Sequence, residues 1–324
     1  MLLACDVGGT KTLMGLFERG TRRPVQHATH SYATTSFSTF GEILDAFWRD
    51  VPRPSTIDAA AIGVAGPVMH DRARLTNVDW HIALDEVGAR LGTPRVRLLN
   101  DLEAMAYAVE FLTADEIAVL QEGEPDQDGA AAVIAAGTGL GQAYLRWVNG
   151  RLMPTPSEGG HADFAARNDR EMDLVRTLRE RHGRAEVEQV LSGPGLVTLH
   201  RFTHRGGECS AVEDVNAADA PAAISRAGLG GRCQGCAEAL RMFVSAYGAE
   251  AGNLALRSLA LSGVYIGGGI APKILPALTS GVFMDAFLAK APMAELLSKV
   301  PVKVILNPEA GLIGAAICAQ ELMD

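Results

Sequence analysis

The chain has 324 residues, 48% of them apolar and 21% charged. At roughly 150 residues per domain this predicts two domains or one large α/β domain, and it excludes global disorder. A formal charge of −9, from 29 basic and 38 acidic residues, argues against nucleic acid or an anionic membrane surface as the main partner. Five cysteines are too sparse for a disulfide scaffold. The N-terminus has no basic region and meets Asp6 at once, and the apolar stretch 254–271 contains Arg257 and several glycines. The expectation is a cytoplasmic chain with no signal peptide and no membrane span.

In chain order, Leu2 to Cys5 reads as a short buried strand, Asp6 to Thr10 as a glycine turn, and Lys11 to Phe17 as a second strand. Val25 to Tyr32 supplies a third strand. Phe40, Ile43, Leu44, Phe47 and Trp48 recur at helical spacing, and Thr39 and Glu42 have the spacing of a capping box. Ala59 to Val64 and Val96 to Leu99 are buried-strand candidates, and Asn100-Asp101 opens a helix reaching Leu112. The second half repeats the plan. Ala131 to Ala136 is a strand, Gly137 to Gly141 a glycine turn, and Gln142 to Trp147 a strand again. Leu240, Val244, Tyr247, Ala251 and Leu254 share one face of a long helix. Leu261 to Ile266 is a strand, Gly267-Gly268-Gly269 follows, and Pro272 suits the first turn of a helix. Val302 to Leu306 and Pro308 to Met323 give a last strand and helix.

Two glycine-turn hairpins, each leaving a buried strand, suit a phosphate clamp, because glycine lets backbone N–H groups face an anion without a Cβ in the way. Thr10 and Thr138 add hydroxyl donors, and Asp6 offers a carboxylate able to hold Mg²⁺ through water. Either turn alone is equally compatible with a plain hairpin. Gly137-Thr138-Gly139-Leu140-Gly141 fails as a dinucleotide fingerprint: Gln142 stands where the third small residue belongs, and a strand follows where a helix is required. No Walker-type G-x-x-x-x-G-K-[ST] segment occurs in the sequence.

In order and spacing, these loops resemble those of the bacterial glucokinase family, within the hexokinase, actin and heat-shock ATPase superfamily. The matching segments are Asp6 to Thr10, Leu99-Asn100-Asp101, Gly137 to Gly141, Glu158 to Phe164, Val190 to Leu196 and Gly267 to Ile270, and they span nearly the whole chain. The resemblance implies an α/β, two-domain actin-like ATPase (ribonuclease-H-like) fold with a central cleft. The small domain would take 1–111 plus 304–324 and the large domain 112–303. It implies ATP-dependent phosphorylation of the glucose 6-hydroxyl, with Mg²⁺ accompanying ATP, and a homodimer. A kinase for another hexose, a non-catalytic sugar sensor and an actin-like ATPase module are the alternatives.

Residue by residue, the resemblance makes Asp101 the catalytic base and Asn100, Asp101, Glu158, His161 and Glu188 the sugar contacts. Glu188 is placed by alignment to Val190-Leu191-Ser192-Gly193 downstream. Cys5, Asp6, Val7, Gly8, Gly9, Thr10, Gly137, Thr138, Gly139 and Gly268 fall to the nucleotide, with Asp6 toward Mg²⁺. Thr76-Asn77-Val78-Asp79-Trp80 looks like the family's sugar loop and has no assigned role. Glu158 and His161 lack the H-E-x-x-H spacing of a zinc site. Cys233-Gln234-Gly235-Cys236 is a lone C-x-x-C. Zinc needs two more ligands, thiol redox chemistry needs a thioredoxin context, and the longer cysteine-rich motif of the related repressor and sugar-kinase family is missing. The expectation is a metal-free structural pair.

Overall fold

The computed structural model describes residues 1–75, 78, 80–205 and 207–324. The chain forms two compact units. One is Met1–Ala114 with Leu152–Pro156 and Asn307–Asp324; the other is Asp115–Arg151 with Ser157–Leu306.

In the first unit, strands β1 (Leu2–Val7), β2 (Lys11–Glu18), β3 (Val25–Ala33), β4 (Ala59–Val64) and β5 (Val96–Asn100) form one sheet in the order β3-β2-β1-β4-β5. β1 and β2 are an antiparallel hairpin with Val7 opposite Thr12, while β1–β4 and β4–β5 are parallel. β4, with the sequence AAAIGV, is buried throughout, as a parallel strand covered on both faces must be. Helix α1 (Phe40–Asp50) buries Phe40, Ile43, Leu44 and Phe47. Thr39 caps it by accepting from the Glu42 amide, and the Glu42 carboxylate accepts from the Ser38 amide, one residue earlier than the usual reciprocal bond. Helix α2 (Asp101–Ala108) ends sooner than its apolar pattern suggests, in a 3₁₀ turn over Val109–Phe111. The C-terminal helix Ala310–Glu321 packs on β1, β4 and α2. A Cβ on Gly314 would stand 1.7 Å from the Ala104 carbonyl, so glycine is what lets this helix lie against α2.

The second unit repeats this plan with β6 (Ile117–Gln121), β7 (Ala131–Ala136), β8 (Leu140–Val148), β9 (Gly263–Gly267) and β10 (Val302–Ile305). β7 pairs antiparallel with β8 and parallel with β9, β9 pairs parallel with β10, and β6 pairs antiparallel with β10. Helices α3 (Gly193–His204), α4 (Ala220–Leu229) and α5 (Gln234–Ser258) pack together beside the sheet. The buried Tyr247 hydroxyl of α5 accepts from the Ala136 amide and lies 3.2 Å from the Ile134 carbonyl and 3.3 Å from that of Gly267, so one side chain bridges the ends of β7 and β9. Beyond β9, Pro272 lies in a 3₁₀ turn, Ala271–Ile274, followed by a single helical turn, Leu275–Leu278.

Candidate functional site

The first hairpin turn is held from both sides. The Gly8 amide donates to the Lys11 carbonyl at 3.0 Å, the Thr34 amide donates to the Thr10 carbonyl at 2.9 Å, and the Thr34 hydroxyl lies 2.8 Å from the Gly8 carbonyl. A Cβ on Gly8 would stand 2.9 Å from the Lys11 oxygen, so the turn closes only around glycine. Cys5 and Val7 are fully buried and serve as core, while Thr10 is exposed at the tip. Asp6 ends partly buried beside the C-terminal helix, where a Cβ on Gly311 would be 2.8 Å from its Oδ2. Burial pushes the Asp6 carboxyl up to about 6, with Lys11 pulling the other way.

Asn100 and Asp101 sit where β5 becomes α2. Asn100 is the cap: its Oδ1 accepts from the Leu102 amide at 2.9 Å and its Nδ2 donates to the Gly66 carbonyl at 3.2 Å. Asp101 is the first helical residue, half-buried, with Oδ1 2.9 Å from the same amide. Of the loop at 76–80, Thr76, Asn77 and Asp79 lie outside the described residues; Trp80 is buried and donates to the Phe37 carbonyl.

In the second unit, the segment after Glu158 and the segment around Glu186 run side by side. The Phe164 amide donates to the Ala185 carbonyl, Val187 to Ala162, and Glu188 to Gly160. That pairing brings Glu158, His161 and Glu188 together and adds Glu186, which no motif signalled. His161 Nδ1 lies 3.0 Å from Glu186 Oε2. This bond raises the His161 pKa, aided by the charges of Glu188 and Glu158, against a smaller opposing effect of burial. Arg184 bonds the His161 carbonyl and lies 3.2 Å from Asp163 and 3.6 Å from Glu186. Glu188 faces the glycine turn: its Oε2 accepts from the Leu140 amide at 2.8 Å, and a Cβ on Gly139 would meet that oxygen at 2.6 Å. Ser192 joins the same network, its hydroxyl donating to the Glu188 carbonyl and accepting from the Gly195 amide to cap α3.

Against the α3 N-terminus lies a cavity of about 830 Å³, lined by residues that include Gly137, Thr138, Pro194, Arg201, Asn216 and Lys273. That is the size of a small-molecule site, roughly 300–1,000 Å³. The Arg201 guanidinium is aimed by a 2.6 Å bond to Asn216. Gly268 does not line the cavity. Its φ of +84° and close approach to the Ala136 backbone make it the turn, and its neighbour Gly269 lines the cavity wall. Arg201, Asn216 and Lys273 belong to no phosphate motif, so their convergence is legible only in the fold.

The structure corrects the isolation of the C-x-x-C pair. Cys209 Sγ stands 3.6 Å from Cys233 Sγ and 3.7 Å from Cys236 Sγ, and His204 Nε2 stands 3.2 Å from Cys233 Sγ. The two side chains that join the pair come from the end of α3 and the loop after it.

A family model described as Glucokinase matches residues 3–322. The chain is 38% identical over 340 residues to a glucokinase of Trichormus variabilis, covering 99% of each chain. The crystal structure of a glucokinase from an Antarctic psychrotroph superposes with a TM-score of 0.85 at 29% identity, covering 99% of this chain and 98% of that one. A glucokinase of Streptomyces griseus solved with glucose and AMPPNP superposes with a TM-score of 0.69 at 23% identity, covering 99% of both, and supports the fold. The fold is the two-domain actin-like fold of these sugar kinases.

Proposed function

The chain belongs to the glucokinase family, and on that premise we propose that it transfers the γ-phosphoryl group of ATP to the 6-hydroxyl of glucose. Asp101 accepts the proton of the 6-hydroxyl as its oxygen attacks the γ-phosphorus in line, and ADP departs. Such transfer is mainly positioning and charge stabilisation. Asn100, Glu158, His161 and Glu188 bind sugar hydroxyls. The turns Asp6–Thr10 and Gly137–Gly139 hold the phosphates through backbone N–H groups, and the cavity beside Gly269 and Arg201 takes the nucleoside end.

Mg²⁺ travels with ATP and offsets phosphate charge. The donor set fits it: Asp6 brings hard carboxylate oxygens to the first turn, in a partly buried place where a cation would favour their ionised form. The resemblance carries two further parts of the proposal, a homodimer and a cytoplasmic location.

The observation that carries the mechanism is the division of labour at the β5–α2 junction. Asn100 supplies the cap, so an acid at 101 is not needed to start the helix. Asp101→Asn keeps the shape and cannot take the proton. General-base help is worth roughly 10²–10⁴-fold, so we expect a folded variant that binds glucose within a few-fold of wild type and loses kcat by that factor. Retention of about a tenth or more of kcat, outside that range, would remove Asp101 from the reaction.

A further inference from the structure

Five soft or borderline donors converge at the end of α3. The ligand atoms of His200, His204, Cys209 and Cys236 lie within 4.8 Å of one another, and Cys233 Sγ adds itself at 3.2 Å from His204 Nε2 and 3.6 Å from Cys209 Sγ. We propose that this cluster is a structural zinc site formed by the thiolates of Cys209, Cys233 and Cys236 and the Nε2 of His204.

Three of the six ligand–ligand distances can be compared with the edges of a zinc tetrahedron. Zinc–sulfur bonds of about 2.3 Å and zinc–nitrogen bonds of about 2.0–2.1 Å give ligand–ligand edges of about 3.5–3.8 Å. The two sulfur–sulfur contacts, 3.6 and 3.7 Å, lie in that range, and the nitrogen–sulfur contact, 3.2 Å, is shorter by a few tenths of an ångström and would open as the metal enters. The imidazole is already oriented for the task. His204 Nδ1 lies 2.8 Å from the His200 carbonyl, and donation there fixes the tautomer that leaves the Nε2 lone pair toward the sulfurs. Gly235, between the two cysteines, makes room: a Cβ there would stand 2.6 Å from the His204 ring. His200 packs beside this cluster and is not one of the four proposed ligands. It is 5% exposed, neither ring nitrogen has a hydrogen-bond partner, and its ring stacks on His204 at 3.9 Å.

Four protein ligands make a closed site, which fits a structural ion. The site ties the C-terminal end of α3 and the loop after it to the first turn of α5. α3 carries Pro194 and Arg201 into the cavity described above, so the ion braces a wall of that cavity. The zinc site does not depend on the proposed function, because its ligands hold metal whatever the cavity binds.

Elemental analysis of the full chain, purified without chelator and then supplied with stoichiometric zinc, should give about one zinc per chain. X-ray absorption at the zinc edge should show sulfur near about 2.3 Å with one nitrogen near about 2.0–2.1 Å. Cys209→Ser and Cys236→Ser should fall to background, while Cys318→Ser and His200→Ala keep the metal. An oxygen-dominated shell, a wild-type zinc content far below one, or a disulfide among Cys209, Cys233 and Cys236 in metal-supplied protein would overturn the site. Loss of zinc in His200→Ala with retention in Cys233→Ser would overturn the ligand assignment. The absorption measurement needs no variant, so it stands even if the cysteine variants misfold.

Discussion

At residue 161, protonation is set by a neighbour 25 positions away. The Glu186 carboxylate beside Nδ1 favours the protonated ring, so the folded His161 pKa lies above its ordinary value. The sign follows from linkage: stabilisation by this contact is fully present below the unfolded pKa, about 6.5, and is lost as pH rises through the folded value. Glu186→Gln removes the partner's charge and should bring the His161 pKa, read by NMR titration of its ring protons, down toward the ordinary value. An unchanged titration would show that Glu188 and Glu158 alone hold the proton. His161 itself was legible, because Glu158-Gly159-Gly160-His161 clusters a carboxylate, an imidazole and glycines. Glu186 was not, because its nearness comes from pairing between two irregular segments, with one isolated bridge, Asp163 to Glu186, and no periodic pattern.

Among elements, the glycine hairpins were the most legible part of the chain, since their central strands are uninterrupted apolar runs that end at glycine. Helix ends were less so. The apolar residues after Ala108 continue a helical pattern, yet the backbone tightens into a 3₁₀ turn there. The metal-ligand cluster was hidden for a different reason: Cys209 and Cys233 are separated by a loop and all of α4, and only the packing of α3 against α5 closes that gap. The start of α3 gives an element-scale prediction. Ser192 satisfies the Gly195 amide and donates to the Glu188 carbonyl, in a place 2% exposed. Ser192→Ala should therefore destabilise the fold by about 1 kcal/mol, within the roughly 0.5–2 range of a lost cap. Urea unfolding measures it, and a midpoint equal to wild type would mean that water or a shifted backbone replaces the cap.

Over the whole molecule, the duplication visible in the sequence became two units built alike, each a hairpin whose first strand runs parallel to a third. The sequence motifs and the family agree on one chemistry, and they need the 6-hydroxyl of the sugar as acceptor. Glucose and 6-deoxyglucose differ in that group alone, so ADP formation from Mg–ATP with each sugar is the most direct test. ADP should form in an amount equal to glucose 6-phosphate when glucose is present, and stay at background with 6-deoxyglucose. Equal ADP with both sugars, or none with glucose, would contradict that chemistry.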